Sequence, residues 1–139
     1  MITRRDLMVA GTTAVTMRAA RAVAAVAPDD PRRTLAQAAG TCVRDGEACL
    51  EHCLQLLATG DTSLGECAQM VNQMLAVCRA VGPIVDANGK YVRPLAQLCG
   101  DVCADCERAC RKHSQQHEIC RACADACAAT AAAAKVWAA

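Results

Sequence analysis

From Pro31 onward the inward-type positions of the chain recur at steps of three and four, the spacing of one face of a helix. Cysteine draws most of that stripe. Cys42, Cys49 and Cys53 are separated by seven and four residues; Cys99, Cys103, Cys106 and Cys110 by four, three and four; Cys120, Cys123 and Cys127 by three and four. Cys67 and Cys78 are eleven apart, three helical turns, with Val71 and Met74 on the stripe between them. The punctuation divides this pattern into four helices. The first runs from about Pro31 to Ala58 and stops at Thr59-Gly60. The second starts after a cap at Asp61 or Thr62 and runs to about Val81, before Gly82-Pro83. Ile84 to Arg93, with Asn88-Gly89 inside it, reads as a long connection or one containing a broken helical turn. A third helix runs from about Pro94 to His113 or just beyond, and a fourth from about His117 to Trp137. Four amphipathic helices with two short links predict an all-α fold: an antiparallel up-down-up-down four-helix bundle with a cysteine-lined core.

Antiparallel stacking orders the cysteines by depth. Cys53, Cys67, Cys110 and Cys120 form a layer at one end; Cys49, Cys106 and Cys123 follow, completed by Met70 or Val71; then come Cys103 and Cys127 with Met74; Cys42, Cys78 and Cys99 lie deepest. Beyond them the inward positions become Leu35, Ala38, Val81, Leu95, Ala131 and Ala134, an apolar plug with Trp137 nearby. The same stacking carries His52, His113 and His117, all the histidines of the chain, to the opposite end.

Composition sharpens the question of what fills this core. The chain has 139 residues, of which 12 are cysteine, with no Phe and one Trp and one Tyr. Ala and Cys supply most of the 54% hydrophobic count, and small side chains bury little apolar area at about 25 cal/mol per Å². Either the thiols are cross-linked or something other than hydrocarbon sits among them. Neighbouring cysteines on one helix have Cβ atoms about 5–6 Å apart, whereas a disulfide wants roughly 3.5–4.5 Å. They are therefore not expected to join each other, but they can hold a metal. Thiolates select Cu(I), Zn²⁺ or iron–sulfur clusters. The two C-x2-C spacings, Cys103/Cys106 and Cys120/Cys123, lie inside longer helical runs, unlike the irregular turns of structural zinc sites. The compact cysteine run of a ferredoxin is absent. Cu(I), a d¹⁰ ion content with two or three thiolates, fits pairs at i,i+3 and i,i+4, at roughly one ion per cysteine when sulfurs are shared. On the residues alone, a bundle with disulfides between facing helices and a discrete redox centre remain the alternatives.

Residues 1–27 stand apart. Thr3-Arg4-Arg5-Asp6-Leu7-Met8 followed by a short apolar run, and Ala25-Val26-Ala27 before Pro28, read as a twin-arginine export signal cleaved after Ala27, leaving 28–139 as the cysteine-rich bundle. Export by that route places the mature chain in the periplasm or another extracytoplasmic space. The run from Leu7 to Met17 is too short to span a bilayer, so no stable membrane anchor is expected. The signal carries four arginines against one aspartate, a net +3; without it the whole-chain +1 becomes about −2. With no basic surplus and no aromatic platform, nucleic-acid binding is excluded as a reading.

In this pattern the chain resembles the four-helix-bundle copper storage proteins, in their exported, twin-arginine form. The residues that carry the resemblance are the runs Cys42–Cys53 and Gly65–Cys67, Cys78, and the run from Asp101 through Cys127. The resemblance implies a bundle that folds without metal, stores many Cu(I) ions on its thiolates, exchanges copper with donor or recipient proteins, and assembles as a homo-oligomer, typically a tetramer. It also implies a metal entrance at the histidine-bearing end. Exported members often carry methionines there, whereas Leu54 to Gly65 contains Leu56, Thr59 and Leu64 and no Met.

The candidate metal ligands are thus all twelve cysteines together with His52 and His113, which lies one turn beyond Cys110. His117, near a helix start, reads as a solvated helix-end residue. Met70 and Met74 have the spacing of packing residues, Met74 being better placed as a ligand. Asp45, Glu47, Asp105, Glu107 and Asp125 read as solvated surface, although Asp45 could approach the interior where Gly46 leaves room. No Ser/His/Asp constellation, buried carboxylate pair or phosphate loop is present, so no enzyme activity is expected.

Overall fold

A computed structural model describes residues 30–138; the export signal assigned to residues 1–27 lies outside them. Four helices follow one another: α1 (Pro31–Ala58), α2 (Gly65–Asp86), α3 (Val92–Arg111) and α4 (Glu118–Ala134), the last ending in a single 3₁₀ turn (Lys135–Trp137). Each packs on two neighbours in the cyclic order α1, α2, α3, α4, as expected of the up-down-up-down bundle. Among the described residues no helix is long and apolar enough to cross a membrane.

Local chemistry sets the ends. Asp30 accepts a hydrogen bond from the Arg32 amide at 3.0 Å and Pro31 occupies the first helical position, satisfying one free donor while wasting none. At the other end of α1 the Thr59 hydroxyl donates to the Leu56 carbonyl at 2.7 Å, and Gly60 turns the chain at φ 88°, a conformation that glycine adopts without a Cβ penalty. Asp61 then accepts from the Ser63 amide at 2.9 Å, but the helix itself begins only at Gly65, behind the fully buried Leu64.

The expected break at Gly82-Pro83 does not occur. α2 runs through Pro83 to Asp86, and the connection shrinks to the residues before Val92. Proline forfeits one backbone hydrogen bond, yet the extra turn buries Val85 against the core. At the start of α3, Pro94 sits in the first turn, where its missing N–H has no intrahelical acceptor to lose.

Flanked by the buried Ala68, Leu75, Ala109, Ala124 and Ala126, one regular pattern of buried positions runs along all four helices: Leu35, Ala39, Cys42, Gly46, Cys49 and Cys53 on α1; Cys67, Val71, Met74, Cys78, Val81 and Val85 on α2; Val92, Ala96, Cys99, Cys103, Cys106 and Cys110 on α3; Cys120, Cys123, Cys127, Thr130 and Ala134 on α4. Steps of three and four alternate strictly, which is the seven-residue repeat of helices wound gently round one another. That alternation corrects the expected plug. Ala38, Leu95 and Ala131, each four residues beyond a terminal cysteine, are only half-buried; Ala39, Ala96 and Thr130, three residues beyond, take the inward places. Leu35, Val81 and Ala134 are buried as expected. Thr130 fits this apolar setting because its hydroxyl donates to the Ala126 carbonyl at 2.9 Å within its own helix.

The outer faces carry charge. One exposed ion pair links each successive pair of helices: Arg79 to Glu47 at 2.8 Å, Lys112 at the end of α3 to Glu66 at 2.9 Å, and Arg111 to Asp125 at 2.6 Å. Exposed pairs of this kind contribute about 0–1 kcal/mol each, so they favour the register without accounting for stability. Asp45 pairs with Arg44 on the surface and does not fill the room at Gly46, which the Met74 and Leu75 side chains occupy.

Candidate metal centre

Every cysteine is buried and every one is a free thiol. The heptad positions aim three or four columns of sulfur at the bundle axis, and the sulfurs fall into five close groups, the members of each within 4.8 Å of one another. From the histidine-bearing end these are Cys49/Cys53/Cys67/Cys120, Cys49/Cys110/Cys123, Cys106/Cys123/Cys127, Cys42/Cys103/Cys127 and Cys78/Cys99/Cys103. All twelve cysteines take part. Consecutive groups share a sulfur: Cys49, then Cys123, then Cys127, then Cys103. The result is one unbroken path of thiols through the core.

The groups differ from flat layers. Cys110 belongs with Cys49 and Cys123 instead of the end layer, and Cys42 joins Cys103 and Cys127 while Cys78 and Cys99 lie together. Three groups contain an i,i+4 pair from a single helix: Cys49/Cys53, Cys123/Cys127 and Cys99/Cys103. Side chains lean along their helix toward its N-terminus, and in antiparallel neighbours the lean is opposite, so sulfurs interleave between layers. Individual contacts are short: Cys67 to Cys110 at 3.2 Å, Cys42 to Cys127 and Cys78 to Cys103 at 3.5 Å, Cys78 to Cys99 at 3.6 Å. Met74 lies in the same column, its Sδ accepting from the Cys42 thiol at 3.3 Å.

The sulfurs are not electrostatically alike. Thiols donated by Cys103 and then Cys78 hold Cys99 down to about 4. Cys123 is lowered chiefly by Cys106 and Cys110, and Cys42 chiefly by Cys103 and Cys127. Each is a sulfur with several thiols in contact with it, and hydrogen bonds to the charged form favour it. Contact with Cys103 pushes Cys78 and Cys127 the other way, and two sulfurs at the histidine end are raised as well. Burial, reinforced by the neighbouring Cys67, pushes Cys120 up to about 11. At Cys53 the contact with Cys49 lowers the pKa, but Cys67 and burial outweigh it and push it up to about 12. Cys53 and Cys120 therefore hold their protons at neutral pH.

Flanking it are two imidazoles. His52 Nε2 and His117 Nδ1 lie 3.0 Å apart with ring centroids 4.9 Å apart. His52 immediately precedes Cys53, and His117 is the residue from which α4 starts, one turn before Cys120. The sequence pointed to His113 as the partner because it continues the Cys110 stripe; α3 has ended by then, at Arg111, and His113 is a half-buried turn residue whose carbonyl accepts from the His117 amide at 2.9 Å. The signal for His117 was its place one turn before Cys120 at the end of the bundle where α1 also finishes.

Such a set of soft, deprotonatable ligands within 4.8 Å of one another, with no carboxylate in any group, has the chemistry that suits soft metal ions. Comparison with individual curated proteins yields no match. A family model described as copper storage protein matches residues 29–139, which include every helix and every cysteine described above. The chain belongs to the copper storage protein family.

Proposed function

We propose that the protein stores copper as Cu(I), at roughly one ion per cysteine, an estimate from ligand softness and count. The carrying observation is the continuity of the five thiol groups through shared sulfurs. Four of the five offer three sulfurs, which suits the low coordination of Cu(I) better than the four-ligand preference of structural zinc. Bridging thiolates let successive ions share ligands, so capacity follows the number of sulfurs instead of the number of separate sites. Export through the twin-arginine route and assembly as a homotetramer belong to the same reading, since that route carries chains already folded around their thiols. Storage here means binding and release, with no catalytic turnover.

An anaerobic titration of the reduced chain with Cu(I), following bound metal, free thiols and proton release together, tests this. Uptake of about one ion per thiol, with the thiols becoming unreactive as they fill, is the expected result. Because Cys53 and Cys120 are pushed up to about 12 and about 11, their protons must leave as copper binds. Copper retention therefore weakens as pH falls, since protons compete for the same sulfurs. Saturation at one to four ions would favour a discrete redox centre, and cysteines already paired before metal is added would favour a disulfide scaffold.

The histidine-bearing end is the port in this reading. An arriving ion meets the imidazoles of His52 and His117, with His113 in the adjoining turn, before it reaches Cys53, Cys67 and Cys120. Imidazole binds copper but carries no charge to be displaced, so it suits transfer better than retention. Replacing His52 and His117 by Ala is expected to slow loading severalfold in stopped-flow uptake while leaving final capacity unchanged. Equal loading rates in the variant and the parent chain would sink the port.

A further inference from the structure

The inward positions of α2 interrupt the cysteine pattern. Between Cys67 and Cys78 they carry Val71 and Met74. Met74 is fully buried, and two independent features fix its sulfur. Its Sδ lies 3.3 Å from Cys42 Sγ, closer than the 3.5 Å between Cys42 and Cys127. On the other side, α1 presents Gly46 at an inward heptad position, where a Cβ would come within 2.5 Å of Met74 Cε and 3.0 Å of Leu75 Cδ2. The missing side chain at Gly46 is thus the seat of the Met74 methyl group. With the methyl held there, the thioether sulfur faces Cys42, which belongs to the Cys42/Cys103/Cys127 group.

A thioether is a soft, neutral ligand for Cu(I). We propose that Met74 is itself a metal ligand, its Sδ joining the thiolates of Cys42 and Cys127 in a mixed site for Cu(I) inside the bundle. The inference rests on the copper-storage reading and adds a thirteenth sulfur to the twelve thiols of the chain. Both cysteines bind as thiolates, so any proton still held by Cys42 or Cys127 leaves to solvent, while the thioether has none to release. The occupied site carries one negative charge, where three thiolates around the same ion would carry two. In a dry interior the smaller charge costs less to bury.

The test uses selenium as a local probe. In a chain with Met8, Met17 and Met70 replaced by Leu, selenomethionine incorporation leaves selenium at Met1 and Met74 alone. After loading with Cu(I), X-ray absorption at the selenium edge is expected to show a copper neighbour, and the further change Met74→Leu, which conserves volume, to abolish it. Copper capacity in Met74→Leu is expected to fall by about one ion per chain, in keeping with the loss of one soft ligand. Selenium surrounded only by carbon in a fully loaded chain, or a copper shell that persists in Met74→Leu, overturns the inference while leaving storage intact. Failure of the chain to accumulate copper at all sinks both readings.

Discussion

Reduced, metal-free protein is expected to melt tens of degrees below the copper-loaded form. A ligand that binds only the folded state adds RT ln(1 + [L]/Kd), about 4.1 kcal/mol for each independent site held at a thousandfold excess over Kd. Three such sites would supply about 12 kcal/mol, as much as the entire stability of an ordinary domain, about 5–15 kcal/mol. For a domain of about 100 residues each kcal/mol raises Tm by roughly 4 °C or more. The bundle is built to be sensitive to this effect. Its largest fully buried side chains are few, Leu35, Leu64, Met74, Leu75, Val71 and Val81 among them, and apart from Val85, Val92 and Thr130 the remaining inward places are cysteine, alanine or glycine. Calorimetry of apo and loaded samples under reducing, anaerobic conditions measures the difference, and a strong Cu(I) chelator should reverse it. A shift of only a few degrees would mean that the sulfur path binds copper loosely or in very few places.

Leu35→Ala is expected to separate stability from storage. Leu35 is 1% exposed, near the start of α1, and belongs to none of the thiol groups. At 1.5 Å per residue it lies about 25 Å along the helix from His52. Truncating a buried leucine costs about 2–5 kcal/mol, the removed contacts plus the cavity left behind. The apo form should therefore lose about 10–20 °C of Tm, while copper capacity stays that of the parent chain because no sulfur moves. Denaturant unfolding of the apo variant and a copper count on the folded variant check the two halves. A capacity loss in Leu35→Ala at full folding would show that the apolar end and the sulfur path are not independent.

The near-complete agreement of helix number and order has a plain cause. Cysteine, alanine and the few aliphatics recur at steps of three and four, and a helix is the only regular backbone that brings such positions to one face. Proline and glycine mark most of the ends for equally local reasons: Pro31 at a first helical position and Gly60 in the left-handed region. Gly82-Pro83 misled because the local cost of proline is outweighed by burial of Val85, a contact with residues distant in the sequence. The choice between Ala38 and Ala39, Leu95 and Ala96, or Ala131 and Thr130 was likewise open in the sequence, since steps of three and four are equally helical until the winding of neighbours selects their alternation.

The same division holds for the site. Which residues are candidate metal ligands was legible from residue type and spacing, because softness and helical period are properties of single residues and single helices. All twelve cysteines are inward. What they form together was not legible. The shared sulfurs Cys49, Cys123, Cys127 and Cys103, the contact of Met74 with Cys42 over Gly46, and the pairing of His52 with His117 each join residues from different helices. The sequence by itself determined four helices, a thiol-lined interior and a histidine-bearing end. Only the tertiary structure decided the grouping, because the position of a sulfur depends on the lean of its side chain and the axial offset of antiparallel helices, and neither is a property of one helix alone.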